Sequence, residues 1–431
     1  MALLFGASLT TFLVGSVADA TMRVAVLEHR VQNRSTAALT MEANLEVYET
    51  QIEEAAQRGA KLLVTPEDGI TGFRGNQRDG WWDYAAKLPE VDATASPLCQ
   101  NASVFWPLRR LSCMASRYEV AVVASLVDMK ECAKDPHFPG CDQSRDGWLL
   151  LNTAVVVDSD GRLIQKYHKA NLWGETALDE SKECSPKSFR VSGFEVTFGI
   201  FICADLIHAW PALELIRQGV RHFVMPLSWS NEMAQMQPLG WQQAWSYQMK
   251  AVLLAANTRR TQSCSGSGIY LQGEAKAHAY DLRPDAADDE LLVAEVPLQL
   301  SGPAAAPRWT PPGRPLVPHA LPAHGVQWQS FQLDMTPGDH SSVVCSAFQA
   351  TFSSSATCCR VSYRSRRQGK GYALAVINGL DISGQVAPWA AEACAVLPCD
   401  ASGGDCLTYP TEALSRYGAQ WFGEFDFLEM E

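Results

Sequence analysis

The spacing of apolar residues between positions 23 and 67 restricts this chain to a small set of folds. Residues 23–28 read as a strand. Residues 36–58 then carry Leu39, Met41, Leu45, Tyr48, Ile52 and Ala55 at helical spacing, and Gly59 ends that helix. Lys61 to Glu67 follows as a second buried strand. Strand, long helix and strand make a crossover unit, which belongs to layered α/β folds. Glu67 is thereby placed at the C-terminal end of its strand, where ligands and catalytic groups gather in such folds.

The pattern continues. Trp81, Trp82 and Tyr84 lie in a loop, Trp106 to Arg117 reads as a helix, and Val120 to Leu126 as a strand. Leu149 to Val157 and Leu163 to Tyr167 are strands joined by the turn Asp158-Ser159-Asp160-Gly161, leading to a polar cluster from His168 to Trp173. The apolar run Phe198 to Ile202 ends in Cys203, with Asp205 two places on and an expected amphipathic helix over Ile207 to Arg217. A strand that delivers a nucleophile to a helix start exposes its side chain and sets the first amides beside developing negative charge. A single buried cysteine in such a run is, however, more often structural. Arg221 to Pro226 reads as a strand, Trp241 to Ala251 as a helix and Val252 to Ala256 as a strand. Ser265 to Tyr270 is a Gly/Ser turn entering a strand, with neither a P-loop lysine nor a dinucleotide fingerprint beside it.

At 431 residues the chain is long enough for one large core and a smaller domain. A net charge of -12 excludes the broad positive surface of a nucleic-acid binder, and Arg364, Arg366, Arg367 and Lys370 read as a short solvated loop. Residues 1–20 form a short apolar region ending in Ala18-Asp19-Ala20, the pattern of a secretory signal peptide cut after Ala20. No later segment has the length of a membrane helix, and no lipid-anchor tail closes the chain. Asn33 and Asn101 head glycosylation triplets, and the 13 cysteines fit an oxidising compartment, so the expected location is secreted and extracellular. Cys132 and Cys141 flank a loop expected to be closed by a disulfide. Cys113 is a first candidate for a buried free thiol besides Cys203; if Cys203 alone is free, the other twelve can form six bridges. A proline-rich linker over 301–325 would separate a domain at 21–300 from one at 326–431. The tail's Cys345, Cys358, Cys359, Cys394, Cys399 and Cys406 suit bridges better than zinc.

Three polar residues end or follow buried strands: Glu67, Lys169 and Cys203. Together they could hydrolyse an amide, the thiolate attacking, the carboxylate moving the proton, and the cation and a backbone amide holding the oxyanion. A core cysteine with a surface lysine and glutamate fits the same residues until their meeting is shown. The blocks Leu63 to Glu67, Tyr167 to Leu172 and Phe198 to Asp205 resemble, in order and separation, the three catalytic blocks of the nitrilase superfamily. Lys166 to Lys169 with Asn171, the turn Ser267 to Tyr270, and the cysteine-rich tail with adjacent Cys358 and Cys359 resemble its vanin/biotinidase branch.

The resemblance implies a four-layer αββα sandwich with a smaller, disulfide-rich C-terminal base domain. It implies Glu67 as general base and acid, Lys169 as oxyanion stabiliser, Cys203 as nucleophile and the Ala204 N–H as second oxyanion donor. The reaction would be hydrolysis of a small-molecule linear amide, with no cofactor and no metal. Pantetheine, cleaved to pantothenate and cysteamine, ranks ahead of biocytin. Trp245 fits the vanin pattern, whereas Ala255-Ala256-Asn257 is closer to biotinidase. Ala204 departs from the aromatic usual in relatives, as do His208-Ala209-Trp210-Pro211 and Ser228-Trp229-Ser230-Asn231. Trp173, His208, Trp229 and Asn231 are the candidate pocket residues, with core packing the alternative for Trp81, Trp82 and Trp173. Asp205 is expected to fix the turn or cap the helix, and His168 to position or pack. The other functions open to such a chain are a binding protein that keeps the fold without catalysis, or a disulfide-rich structural protein.

Overall fold

The computed structural model describes residues 20–92, 96–230, 238–260, 263–283, 285–300, 319–320, 326–334, 336–345, 358–365, 371–381, 389–399 and 425–430. The expected crossover is there: β1 (Thr21–His29), helix α1 (Ala37–Gln57) and β2 (Leu62–Val64), with β1 and β2 parallel. The Thr36 side chain caps α1 by accepting from the Leu39 N–H at 3.2 Å. Gly59 leaves the helix with φ +79°, a conformation glycine takes at little cost. Met41, Leu45, Tyr48, Ile52 and Ala55 form the buried stripe, each worth about 1.5–3 kcal/mol for the larger side chains. Leu39 differs from expectation, being 52% exposed. Two residues from Met41, it is turned roughly 200° around the helix, away from the stripe.

The chain goes on through β3 (Ala85–Ala86), α2 (Trp106–Tyr118), β4 (Ala121–Glu131), β5 (Trp148–Val157) and β6 (Leu163–His168). Next come β7 (Ser188–Arg190), β8 (Thr197–Ile200), α3 (Ala212–Arg217), β9 (His222–Leu227), α4 (Pro238–Gln248), β10 (Val252–Asn257), β11 (Ser267–Leu271), β12 (Glu274–Ala279) and β13 (Asp289–Pro297). One sheet runs β13-β1-β2-β4-β5-β6, with β3 against β4, and the other β12-β11-β10-β9-β8-β7. Strand alternation decides what each face meets. Ala25 and Leu27 point to α1 and α2, joining Tyr48, Leu63 and Leu111, while Val24 and Val26 pack with Val224, Leu254 and Ile269 of the second sheet. Helices α3 and α4 cover the far face, where Leu215 and Trp245 join that same core. Helix, sheet, sheet and helix make the four-layer αββα sandwich.

After residue 318 the described strands are β14 (His319–Ala320), β15 (Val326–Gln332), β16 (Gly338–Cys345), β17 (Cys358–Ser365), β18 (Gly371–Asp381), β19 (Trp389–Cys399) and β20 (Phe425–Met430). They form antiparallel sheets ordered β14-β15-β18-β19 and β16-β17-β20, joined by Phe331, Val361, Tyr363, Tyr372 and Leu374. Residues 1–19, 301–318, 321–325 and 366–370 lie outside the described residues, which removes the expected leader, most of the linker and most of the basic cluster from view. Arg364, the described member of that cluster, pairs with Asp339 at 2.5 Å. Among the described residues no helix is long and apolar enough to cross a membrane.

Two expectations need correction. No helix starts at Ile207: Cys203–Ile207 is a 3₁₀ turn, and α3 begins only at Ala212. Pro211 offers no N–H and steers Trp210 away from helical backbone, so the helix cannot pass through it. The nucleophile candidate therefore stands on a short turn. Cys113 is not free, because α2 packs on the turn Leu98–Gln100 and brings Cys99 to a Cα distance of 4.7 Å, where the two form a disulfide. Cys132 and Cys141 are bridged as expected, closing the loop between β4 and β5. Cys184, Cys203 and Cys264 are the free cysteines among the described residues, so Cys203 is not the one odd thiol. Cys358 and Cys359 are disulfide-bonded; the side chains of Cys345, Cys394, Cys399 and Cys406 lie outside the described residues.

Candidate active site

Glu67, Lys169 and Cys203 come from the loops after β2, β6 and β8, and all three are buried. Lys169 Nζ donates to Glu67 Oε1 at 2.7 Å and also touches Glu175. Two further donors hold Glu67: Asn152 Nδ2 reaches Oε1 at 2.7 Å and the Ser228 N–H reaches Oε2 at 2.9 Å. Burial by itself would lower the Lys169 pKa, but the Glu175 and Glu67 carboxylates, with the Cys203 sulfur, outweigh it and hold the ammonium charged. Burial and then the Glu67 charge push the Cys203 thiol up, against the pull of Lys169 and the Ser228 N–H. Burial and the nearby charge thus favour the protonated form of the sulfur.

Cys203 has φ +45°, a left-handed backbone that costs a non-glycine residue about 1–3 kcal/mol and recurs at functional sites. A 3₁₀ turn pairs each N–H with the carbonyl three residues back, so the Asp205 N–H binds Ile202 O at 3.0 Å. The Cys203 and Ala204 N–H groups come too early in the turn for such a bond. Asp205 ties the turn to the lysine loop. Its carboxylate accepts from the Ile202 N–H at 2.9 Å, Tyr167 Oη at 2.7 Å, and the N–H and Nδ2 of Asn171 at 2.9 and 2.7 Å. Burial pushes Asp205 up to about 6 despite these donors.

Sequence reasoning missed two acidic neighbours. Glu175, six residues after Lys169, is the lysine's second carboxylate, and its Oε2 is buried without a hydrogen-bond partner among the described residues. Asp68 follows Glu67 with φ +55°, and burial with the Glu67 and Glu175 charges pushes its carboxyl up to about 8. Only proximity to Lys169 in sequence could have flagged Glu175, and nothing local flags the Glu175 charge acting on Asp68.

The candidate pocket residues divide. Trp229 is buried, its N–H donating to Asn257 Oδ1 at 2.8 Å and its ring tilted against Trp241. Trp173 and His208 are exposed, and Asn231 lies outside the described residues. Ala204 is buried next to Cys203, the candidate nucleophile. Trp81 is fully buried, and Trp82 packs edge-on against Trp148. Trp245 packs against Phe201 and Phe223, so its place in α4 reflects the core. The donors of the Gly/Ser turn are already engaged: Ser265 Oγ, the Gly266 N–H and Ser267 Oγ all donate to Glu28.

Residues 23–258, more than half of the chain, match the carbon-nitrogen hydrolase family. The chain belongs to that family. Among curated relatives, the biotinidase of Takifugu rubripes is 34% identical over 295 residues, covering 65% of this chain and 57% of the relative. The pantetheinase of Sus scrofa is 31% identical over 357 residues, covering 80% of this chain and 66% of the relative. The chain thus spans somewhat under two thirds of the length of these family members. Among solved structures, an amidase of the nitrilase superfamily from Nesterenkonia is similar at a TM-score of 0.47 and 19% identity, covering 64% of this chain and 90% of that one.

Proposed function

We propose that this carbon-nitrogen hydrolase family member cleaves a small linear amide through a cysteine acyl-enzyme, with pantetheine the leading substrate. The observation that carries the reading is the buried contact of Lys169 with Glu67 at 2.7 Å, in a cluster whose charges also act on Cys203. Glu67 takes the thiol proton as Cys203 Sγ attacks the carbonyl carbon. Lys169 Nζ and the Ala204 N–H hold the resulting oxyanion. Collapse breaks the carbon–nitrogen bond, and Glu67 passes its proton to the departing amine. Water, deprotonated by Glu67, then adds to the thioester; the acid leaves and the thiol regains a proton. The unpaired Glu175 Oε2 offers an acceptor for the substrate amide N–H.

Pantetheine leads because a pantetheinase matches 80% of this chain against 65% for a biotinidase. Biocytin is the second reading, favoured by the higher identity of 34%. The purified protein should release cysteamine from pantetheine with a kcat/KM above its value for lysine release from biocytin, measured side by side. Biocytin hydrolysis alone would reverse the order, and turnover of neither would move the substrate outside this pair.

We also propose a secreted protein with a leader over residues 1–20, a linker over 301–325 and a base domain over 326–431, glycosylated at Asn33 and Asn101. Support comes from the bridges Cys99–Cys113 and Cys132–Cys141, which suit an oxidising compartment, and from the exposure of both asparagines. Expression in secretory cells should yield medium protein beginning at Thr21, with mass lost on glycosidase treatment. Retention of the whole chain inside the cell would overturn this.

A further inference from the structure

At the end of β6, directly before Lys169, lies a cluster of charged groups that the proposed chemistry does not use. His168 is 5% exposed. Its Nδ1 is 2.5 Å from Glu183 Oε2 and its Nε2 is 3.0 Å from Asp128 Oδ2. An ionised carboxylate can only accept, so both ring nitrogens must donate, and only the imidazolium carries two N–H groups. We propose that His168, as an imidazolium clamped between Asp128 and Glu183, is a positioning residue for amide hydrolysis that fixes Lys169 and the segment behind it. The inference rests on the amidase reading above.

The connection to Lys169 runs through the backbone. β6 is the edge strand of its sheet, and the chain from Lys169 to Glu183 folds back along it. The Ser181 N–H donates to Lys169 O at 3.2 Å, the Lys169 N–H donates to Asn152 O at 2.8 Å, and Asn152 Nδ2 in turn holds Glu67. The middle of the segment is held at Asp179, which accepts from Arg78 and Arg145 and from the Leu150 N–H. Its far end is held by Glu183 on His168. Opening that end frees the Ser181 contact to the lysine's own carbonyl.

Among the described residues, the charged neighbours come from several elements. From β4, Asp128 and Lys130 face the site; from β6, Lys166; from the returning segment, Glu183, which also pairs with Lys187; and from the loop before α2, Glu90, which pairs with Lys130 and Lys166. The Phe138 ring, in the loop closed by Cys132–Cys141, meets the imidazole edge-on. Burial alone would lower the His168 pKa, but hydrogen bonds and charge from Asp128 and Glu183 outweigh it and raise it above 6.5. Burial would raise the two acids, yet His168 and the lysines hold both near about 2. The sign follows. Below the raised His168 value the ring is charged and the clamp closed. As pH climbs through it, one ring nitrogen loses its hydrogen while facing a carboxylate, and hydrolysis declines on the alkaline side. On the acid side the clamp persists until the carboxylates protonate.

The test is the pH profile of kcat and KM for pantetheine in wild type, His168→Gln and Glu183→Gln. In His168→Gln we expect kcat to fall roughly 10- to 100-fold with KM little changed, and the lowest alkaline limb to disappear. Glu183→Gln, on a partly exposed segment, should move that limb to lower pH and serves if His168→Gln does not fold. A wild-type profile in both variants, or a uniform loss with the limb unmoved, would overturn the proposal. NMR titration of the His168 ring in wild type reads the clamp without any substrate. A midpoint above 6.5 supports it and one below 6.5 overturns it, even if neither amide is hydrolysed and the amidase reading itself fails.

Discussion

Cys203→Ala is expected to lower amide hydrolysis by at least about 10⁴-fold while the protein folds as before. Removing Sγ leaves Lys169 on Glu67 and Glu175, and leaves Ser228 and Asn152 on Glu67, so the charged cluster stays assembled. Alanine has the same Cβ as cysteine and meets the same φ of +45°, which keeps the backbone penalty unchanged. The sulfur's burial among apolar neighbours is lost, at a cost of about 1 kcal/mol. The assay should therefore show no turnover of pantetheine or biocytin, with a thermal midpoint within a few degrees of wild type. Retained turnover would exclude Cys203 as the nucleophile. Loss of folding would return Cys203 to a purely structural role.

The second large effect is on stability. Glu28→Ala is expected to destabilise the protein by about 3–5 kcal/mol, because it removes one side of a buried ion pair and leaves buried donors without their acceptor. Glu28 is fully buried at the end of β1 and accepts from Arg259 Nε at 2.8 Å, Ser265 Oγ at 2.6 Å, the Gly266 N–H at 2.9 Å and Ser267 Oγ at 2.8 Å. These donors belong to the second sheet and its loops, so one carboxylate bolts the two sheets together. Without it, the Arg259 guanidinium keeps, among the described residues, Ala287 O and Glu290, while two hydroxyls and an amide lose their acceptor. Burial raises the Glu28 pKa even with four donors, so Glu28→Gln, which shortens the list of acceptors but removes the charge, should cost less than Glu28→Ala. Denaturant unfolding of both variants reads the difference. A loss under about 1 kcal/mol for Glu28→Ala would mean water replaces the carboxylate.

Much of this was legible before any coordinates. The stripe Met41, Leu45, Tyr48, Ile52, Ala55 and the alternation Val24, Ala25, Val26, Leu27 are local periodicities, and local periodicity is what burial on one face of a helix or two faces of a strand imposes. The loop between Cys132 and Cys141 was equally local. The departures have separate causes. Cys113 was matched by Cys99 through the packing of a turn on α2, and Leu39 fell outside the stripe by its angle. The helix expected after Cys203 failed at Pro211, a signal present in the chain but outweighed by the amphipathic pattern around it.

The chain's own residues determined the strand ends carrying Glu67, Lys169 and Cys203, since each follows an apolar run that had to be buried. Only the tertiary structure decided how they are held. Glu67 meets Lys169 across 102 residues, Asp205 reaches back 34 to Asn171, and Glu28 meets Arg259 across 231. Such contacts depend on the order of strands in two sheets. Short-range patterns say which side chains leave water, but not which of the buried polar groups will share a partner.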